Sequence, residues 1–470
     1  MMRRAKLAAV LLAGLLASAL AACEREPASD STAGAPAAAA SAPVGASSAK
    51  GVGTSTVGAL APEPMGDAAR GRELAKKREC HRCHGGLDLE PVDTTRHCVA
   101  CHSEVLAGKF DHEPDAKRWR KNVAHLFAVP SLASVGARLD YSWLVHFLAE
   151  PRDLRPRLEP TMPRLGLDAQ EARDLAAYLV SQGKPAGAAT ASAATGGATA
   201  AASTATSTAG GATLAASPGG AGADALAGAD EARGRKLVDA FQCGACHRMS
   251  GTALLAGGTE LDAGKRETRA AVMLAPDLRH VRARMSPGAL VAWLLDPLAM
   301  KPDTLMPRTP MTPEQARDIA AFLMHTALAD ESLPAAPVPL PLLDRKVTFD
   351  EVKARVLDVT CRHCHGDPDT ALGDGGPGNS GGFGFSARGV NLTSYEHLQA
   401  GYLDASGERK SLFGKLADGT PRIVAAMWAR HREVAGKPDR ELRGMPLGLP
   451  PVPPADIQLF ATWVAQGRPR

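Results

Sequence analysis

Apolar residues recur at helical spacing in three places along this 470-residue chain: Ala172, Leu175, Ala176 and Leu179; Ala316, Ile319, Ala320 and Leu323; and Ile457, Phe460, Ala461 and Val464. Each stripe predicts a short amphipathic helix at the end of a folded segment. Asp168, with Glu171 three residues on, predicts a capping box at the start of the first, and Thr312, Pro313 and Gln315 do the same for the second. Pro453-Pro454 opens the third. Alternating patterns are scarce, so the expected class is all-α. The chain also repeats itself. Ala69-Arg70-Gly71-Arg72-Glu73-Leu74 leading to Cys80 matches Ala232-Arg233-Gly234-Arg235-Lys236-Leu237 leading to Cys243, and Trp143 to Pro151 parallels Ala289 to Pro297. Two units are duplicates in plan, and the C-terminal stretch follows more loosely.

Breaks in the pattern divide the chain. Residues 1–22 read as an export signal, with basic Arg3, Arg4 and Lys6 followed by the apolar run Leu7 to Leu20. Leu20-Ala21-Ala22-Cys23 resembles the bacterial lipoprotein box, which implies diacylglyceryl modification of Cys23; two or more acyl chains suffice for stable anchoring. Residues 23–66 are a low-complexity tether with too little apolar surface to fold. Folded units are expected at 67–182, 230–330 and 346–470. An Ala/Gly/Ser/Thr-rich linker lies at 183–229 and a Pro-rich spacer at 331–345. A flexible linker of that length has a mean span of roughly 35–40 Å, so the first two units are expected to move independently.

Composition adds two constraints. Aromatic residues are only 4% of the chain, too few to furnish three separate cores generously, so something besides side chains is expected in the interiors. A formal charge of +4 is near neutral for this length and argues against a nucleic-acid partner.

The nine cysteines supply the chemistry. One is Cys23; the other eight form four Cys-x-x-Cys-His motifs: Cys80/Cys83/His84, Cys98/Cys101/His102, Cys243/Cys246/His247 and Cys361/Cys364/His365. Two thiols on one helical turn reach both vinyl groups of a haem, and the adjacent histidine meets its iron. The motifs thus predict four covalently attached haems c. A zinc ribbon at Cys80, Cys83, Cys98 and Cys101 is the competing reading, and disulfides are a third. Both leave the four histidines without a role. Met-Pro occurs once before each closing helix, as Met162-Pro163, Met306-Pro307 and Met445-Pro446. Methionine can be core filler, but three equivalent placements point to distal thioether ligands; Met311 also lies near the second helix.

These features resemble class I cytochrome c domains, over about 68–180, 231–326 and, more loosely, 347–466. The resemblance implies three tandem all-α domains wrapped around haem. It assigns Cys80, Cys83, His84 and Met162 to one haem, Cys243, Cys246, His247 and Met306 to another, and Cys361, Cys364, His365 and Met445 to the last. The third unit departs from the pattern with a glycine-rich insertion around 373–384. No second Met-Pro serves the motif at Cys98, so its sixth ligand is expected to be His125 or His112, with His125 preferred. His81, His97 and His363 adjoin motifs and read as exposed side chains. Lys117 to Lys121 reads as a solvated helix face; Arg152, Arg155, Arg157 and Arg164 bracket Met162, with solvation the more common fate of such side chains and pairing with haem propionates the alternative.

The expected function is electron transfer between membrane or exported redox proteins, by a lipoprotein on the periplasmic side of the inner or outer membrane. A peroxidase-like enzyme with open iron at the second haem and a fixed subunit of a respiratory complex are the alternatives. No nucleotide-binding or acid-base catalytic motif is evident.

Overall fold

The protein is described by a computed structural model covering residues 63–93, 96–123, 129–152, 154–158, 162–182, 224–257, 266–331, 333–367 and 376–470. It is all-α, in three helical units. The first contains α1 (Ala68–Lys77), α2 (Cys98–Leu106), α3 (Ala116–Val123), α4 (Tyr141–Ala149) and α5 (Ala169–Ser181). The second contains α6 (Glu231–Ala240), α7 (Arg266–Leu274), α8 (Val281–Arg284), α9 (Pro287–Leu295), α10 (Pro297–Met300) and α11 (Pro313–His325). In the third, α12 (Phe349–Val352) continues as a π-helical stretch, Lys353–Cys361, followed by α13 (Pro377–Ser380), α14 (Tyr395–Ala400), α15 (Arg422–Val434) and α16 (Pro454–Ala465). Two-residue strands, β1 (Tyr402–Leu403) and β2 (Arg409–Lys410), pair antiparallel with Tyr402 opposite Lys410.

The duplicated sequence folds into duplicated structure. Asp67 caps α1 by accepting the Arg70 N–H, and Asp230 caps α6 by accepting the Arg233 N–H. Both capping boxes at the closing helices form, Asp168 with Glu171 and Thr312 with Gln315. α1 crosses α5 at Gly71, where an added Cβ would overlap the carbonyl oxygen of Asp174 and lie 2.8 Å from Tyr178 Cβ. α6 crosses α11 at Gly234 in the same way, against Asp318 and Phe322. Backbones approach this closely only where a side chain is missing.

A fork locks each crossing. Arg70 donates through Nε and Nη2 to the two oxygens of buried Asp174 at 2.8 and 2.9 Å, and the Asp67 N–H adds a third bond at 2.7 Å. Arg233, Asp318 and Asp230 repeat the arrangement at 2.8, 3.0 and 2.6 Å. The Arg70 hydrogen bond, ahead of the opposing effect of burial, lowers the Asp174 carboxyl from 3.8 to about 2. A depressed carboxylate stabilises the fold above its unfolded value and loses that contribution as pH falls through its folded one. The melting temperature is therefore expected to drop between pH 3.8 and about 2. Asp174→Asn should melt lower at neutral pH and show a flatter acid decline; an unchanged slope would remove Asp174 from the account.

The cores differ in kind. Leu74, Leu144, Leu148 and Leu175 dominate the first, and Val238, Leu290, Leu294 and Ile319 the second. The third gathers Phe349, Trp428, Phe460 and Trp463, with the Phe460 ring edge-on to Trp463 at 5.6 Å. Its closing helix buries Leu459 and Trp463 as well as Ile457 and Phe460, a broader apolar face than the predicted stripe.

The first two units do not behave as the independent bodies expected from the intervening low-complexity sequence. The Asp140 N–H donates to Arg284 O at 2.7 Å, Asp277 N–H to Leu154 O at 2.8 Å, and Arg157 Nη1 to Cys246 O at 2.7 Å. Arg138 of the first unit lies 5.8 Å from the Trp293 ring centre of the second, and Arg284 of the second lies 5.2 Å from that of Trp143 in the first. The third unit also docks. The Phe383 N–H, from the glycine-rich insertion, donates to Glu79 Oε2 at 2.8 Å, and Arg82 sits over the Phe383 ring at 5.2 Å. Residues 183–223 lie outside the described residues.

Candidate cofactor-binding site

Two of the four motifs are carried on a tight turn at a helix end. After α1 and α6, Glu79 and Gln242 adopt left-handed backbone with φ of 52° and 54°, which redirects the chain into a single 3₁₀ turn starting at the first cysteine. His84 and His247 then donate their backbone N–H to Cys80 O and Cys243 O, both at 2.9 Å. Both thiols and the imidazole thus share one turn. The third unit reaches the same end without a reversal, its π-helical stretch running directly into Cys361. Cys98, Cys101 and His102 lie on α2, whose N-terminus is capped by His97 Nδ1 accepting the Ala100 N–H at 3.2 Å.

Three of the four motif histidines share a decisive feature. His84 Nδ1 is 2.8 Å from Pro130 O, His247 Nδ1 is 2.8 Å from Pro276 O, and His365 Nδ1 is 3.3 Å from Val390 O. A carbonyl only accepts, so each Nδ1 carries the proton and each Nε2 keeps its lone pair for a metal. Burial lowers the pKa of all three imidazoles and favours the neutral, ligating form. At His365 the ring is seated against Gly378, where an added Cβ would come within 2.6 Å of Nδ1 and Cε1.

One cavity of about 1110 Å³ is bordered by Cys80, Cys83 and His84, by Cys98 and His102, by Cys243, Cys246 and His247, and by His363 and Cys364. That exceeds the ~300–1,000 Å³ typical of single-ligand pockets. Met162 and Met306 line it; Trp293 Nε1 donates to Met306 Sδ at 2.9 Å and fixes the thioether. Met311 packs with the second core instead. Met445 is tied through its N–H to Ala426 O at 2.9 Å and does not border the cavity, although Leu447, Gly448 and Leu449 just beyond it do. His112 is exposed and pairs with Glu113 Oε1 at 3.4 Å, away from the cavity. His125 and Cys23 lie outside the described residues.

The thiols suit attachment better than metal binding. Burial raises Cys80 to about 11 and Cys361 to about 12, and the Cys83 thiol is pushed up by a hydrogen bond with Cys98 and by burial. Zinc needs thiolates, which such surroundings disfavour. Among the described residues no group of three or more His, Cys, Asp and Glu converges as a metal site would require.

Two arginines that sequence reasoning passed over complete the picture. Arg138 and Arg284 border the cavity, and the Nε of each is buried with no hydrogen-bond partner. Burial, then repulsion from Arg138 and Arg155, lowers Arg284 to about 10. Arg138 has Asp303 as a charged neighbour, whereas Arg284 faces only Arg138 and Arg155; such an excess of positive charge favours an anion, and haem brings two propionates. Arg138 and Arg284 hold equivalent places in the repeat, which was the signal available. Of the arginines around Met162, Arg152, Arg155 and Arg164 all border the cavity, Arg152 and Arg164 also pairing with Glu331 and Glu150, while Arg157 binds Cys246 O.

Carbonyl-fixed imidazoles, paired thiols, thioethers and guanidinium groups at the cavity wall fit haem covalently bound in helical domains. The family model for Cytochrome c matches residues 91–183 and 231–327. The chain is a multihaem c-type cytochrome with cytochrome c-like domains, and its class is that of haem-binding electron-transfer proteins. The first match begins after His84 and encloses the Cys98 motif, yet in the fold it is Cys80, after α1, that occupies the place of Cys243 after α6. No curated protein and no solved structure matches the chain.

Proposed function

We propose that this chain is a tetrahaem electron relay held at the periplasmic face of a membrane by lipid on Cys23. Cys80/Cys83, Cys98/Cys101, Cys243/Cys246 and Cys361/Cys364 attach the haems. His84, His102, His247 and His365 are the proximal ligands, and Met162, Met306 and Met445 the distal ligands of three of them. The observation that carries the reading is the shared cavity onto which motifs from all three units open. Bound haem supplies reversible one-electron exchange at iron. The polypeptide supplies the rest. Pro130 O and Pro276 O hold the His84 and His247 rings with Nε2 inward, and the Trp293 indole orients the Met306 sulfur. Apolar walls such as Leu132, Leu139, Phe147 and Leu290 keep water out. Its partners in this reading are redox proteins of the envelope, with donor and acceptor open.

Intact mass and alkaline pyridine titration of the purified holoprotein should give four haems per chain, and spectroelectrochemistry should show all four cycling reversibly. A count of three or fewer in fully matured protein would overturn the assignment. Incorporation of labelled fatty acid, lost in Cys23→Ser, tests the anchor.

A further inference from the structure

We propose that His363, the residue between the paired thiols of the third unit's own motif, is the sixth ligand of the haem carried by Cys98, Cys101 and His102. The inference rests on the reading of that motif as a haem site. In sequence His363 is a neighbour of Cys364 and His365 read as an exposed side chain, and exposed it is in the fold. In the fold its ring centre lies 6.2 Å from that of His102, with the two planes inclined by 50°. An iron between two imidazoles sets this separation: a metal–nitrogen bond of about 2 Å on each side, plus about 1 Å from each nitrogen to its ring centre, comes to about 6 Å. His102 and His363 also border the same cavity.

The juxtaposition is enforced from outside the pair. The glycine-rich insertion of the third unit anchors on the first, with the Phe383 N–H on Glu79 Oε2 at 2.8 Å and Arg82 over the Phe383 ring. His112, by contrast, pairs with Glu113 and does not border the cavity. One iron would then join two folded units, with a proximal ligand from α2 and a distal ligand from the third motif.

The test uses full-length holoprotein and reads spin state by electron paramagnetic resonance, with the haem on the peptide containing Cys98 and Cys101 confirmed by mass spectrometry. His363→Ala is expected to convert one low-spin haem per chain to high spin, and added imidazole to restore it. His112→Ala and His125→Ala should leave the spectrum unchanged. His363→Met, which keeps a ligand if the alanine variant misfolds, should remain low-spin while the potential of one haem rises, because thioether favours the reduced iron. A fully low-spin His363→Ala protein with haem on the Cys98 peptide, or unchanged potentials in His363→Met, would mean a simple ring contact and overturn the proposal. A Cys98 peptide without haem would instead overturn the reading on which it rests.

Discussion

Replacing Gly71 with alanine is expected to lower the stability of the first unit by about 3 kcal/mol, the upper range for overpacking a tight contact. The sign is informative. In an ordinary exposed helix, glycine to alanine stabilises by about 1 kcal/mol. Here the new methyl would overlap the carbonyl oxygen of Asp174 and press on Tyr178 Cβ, both on the facing helix. Backbone cannot rotate away as a side chain can, so α1 must lift from α5, carrying with it the Arg70 fork and the turn that holds Cys80 and His84. Gly234→Ala should act likewise on α6, α11 and the Cys243 turn. Thermal melts of each holoprotein, with protease cleavage mapped to the affected unit, check this. A variant as stable as the parent would show that the helices can part at little cost.

A second large effect is expected from replacing Cys243 and Cys246 together with alanine. Haem stoichiometry should fall by one per chain, with the missing haem absent from the peptide bearing His247. The consequences should spread to the domain boundary, because Cys246 O accepts from Arg157 of the first unit, and Arg138 and Arg284 share the same cavity wall. Without an anionic partner their buried charges become a cost, so residues 231–327 should become the first target of limited proteolysis. An unchanged haem count in the double variant would remove this motif from the attachment sites.

Much of this was written in local pattern. The capping boxes at Asp168 and Thr312, the closing-helix stripes and the repeat around Gly71 and Gly234 are short-range signals, and the fold follows them. The four Cys-x-x-Cys-His motifs were equally legible, since one turn of chain contains the whole arrangement. What sequence did not disclose is what depends on distance across the fold. Arg138 and Arg284 have no unusual neighbours in sequence; their significance arises where two units meet. The glycine-rich insertion gave no hint that Phe383 would dock beside Glu79. The low-complexity stretch between the first two units suggested independence because composition reports on the connector and says nothing of the surfaces it joins. Tyr178 and Phe322 correspond in the repeated closing helices, but that both press on the crossing glycines is seen only in the fold.

The reciprocal placement of Arg138 over Trp293 and Arg284 over Trp143 resembles the contact of a two-fold symmetric homodimer, in which each subunit offers the same patch to the other. Tying both halves into one chain changes the economics of such a contact. The partner is always present at a high effective concentration, on the order of millimolar for short connectors, so the interface need not be strong enough to assemble free subunits. It is then at liberty to drift from symmetry. That freedom is visible where Trp143 and Trp293 sit one helical turn apart in the repeat frame, so the two halves keep a reciprocal contact without keeping the same residue at the same place in it.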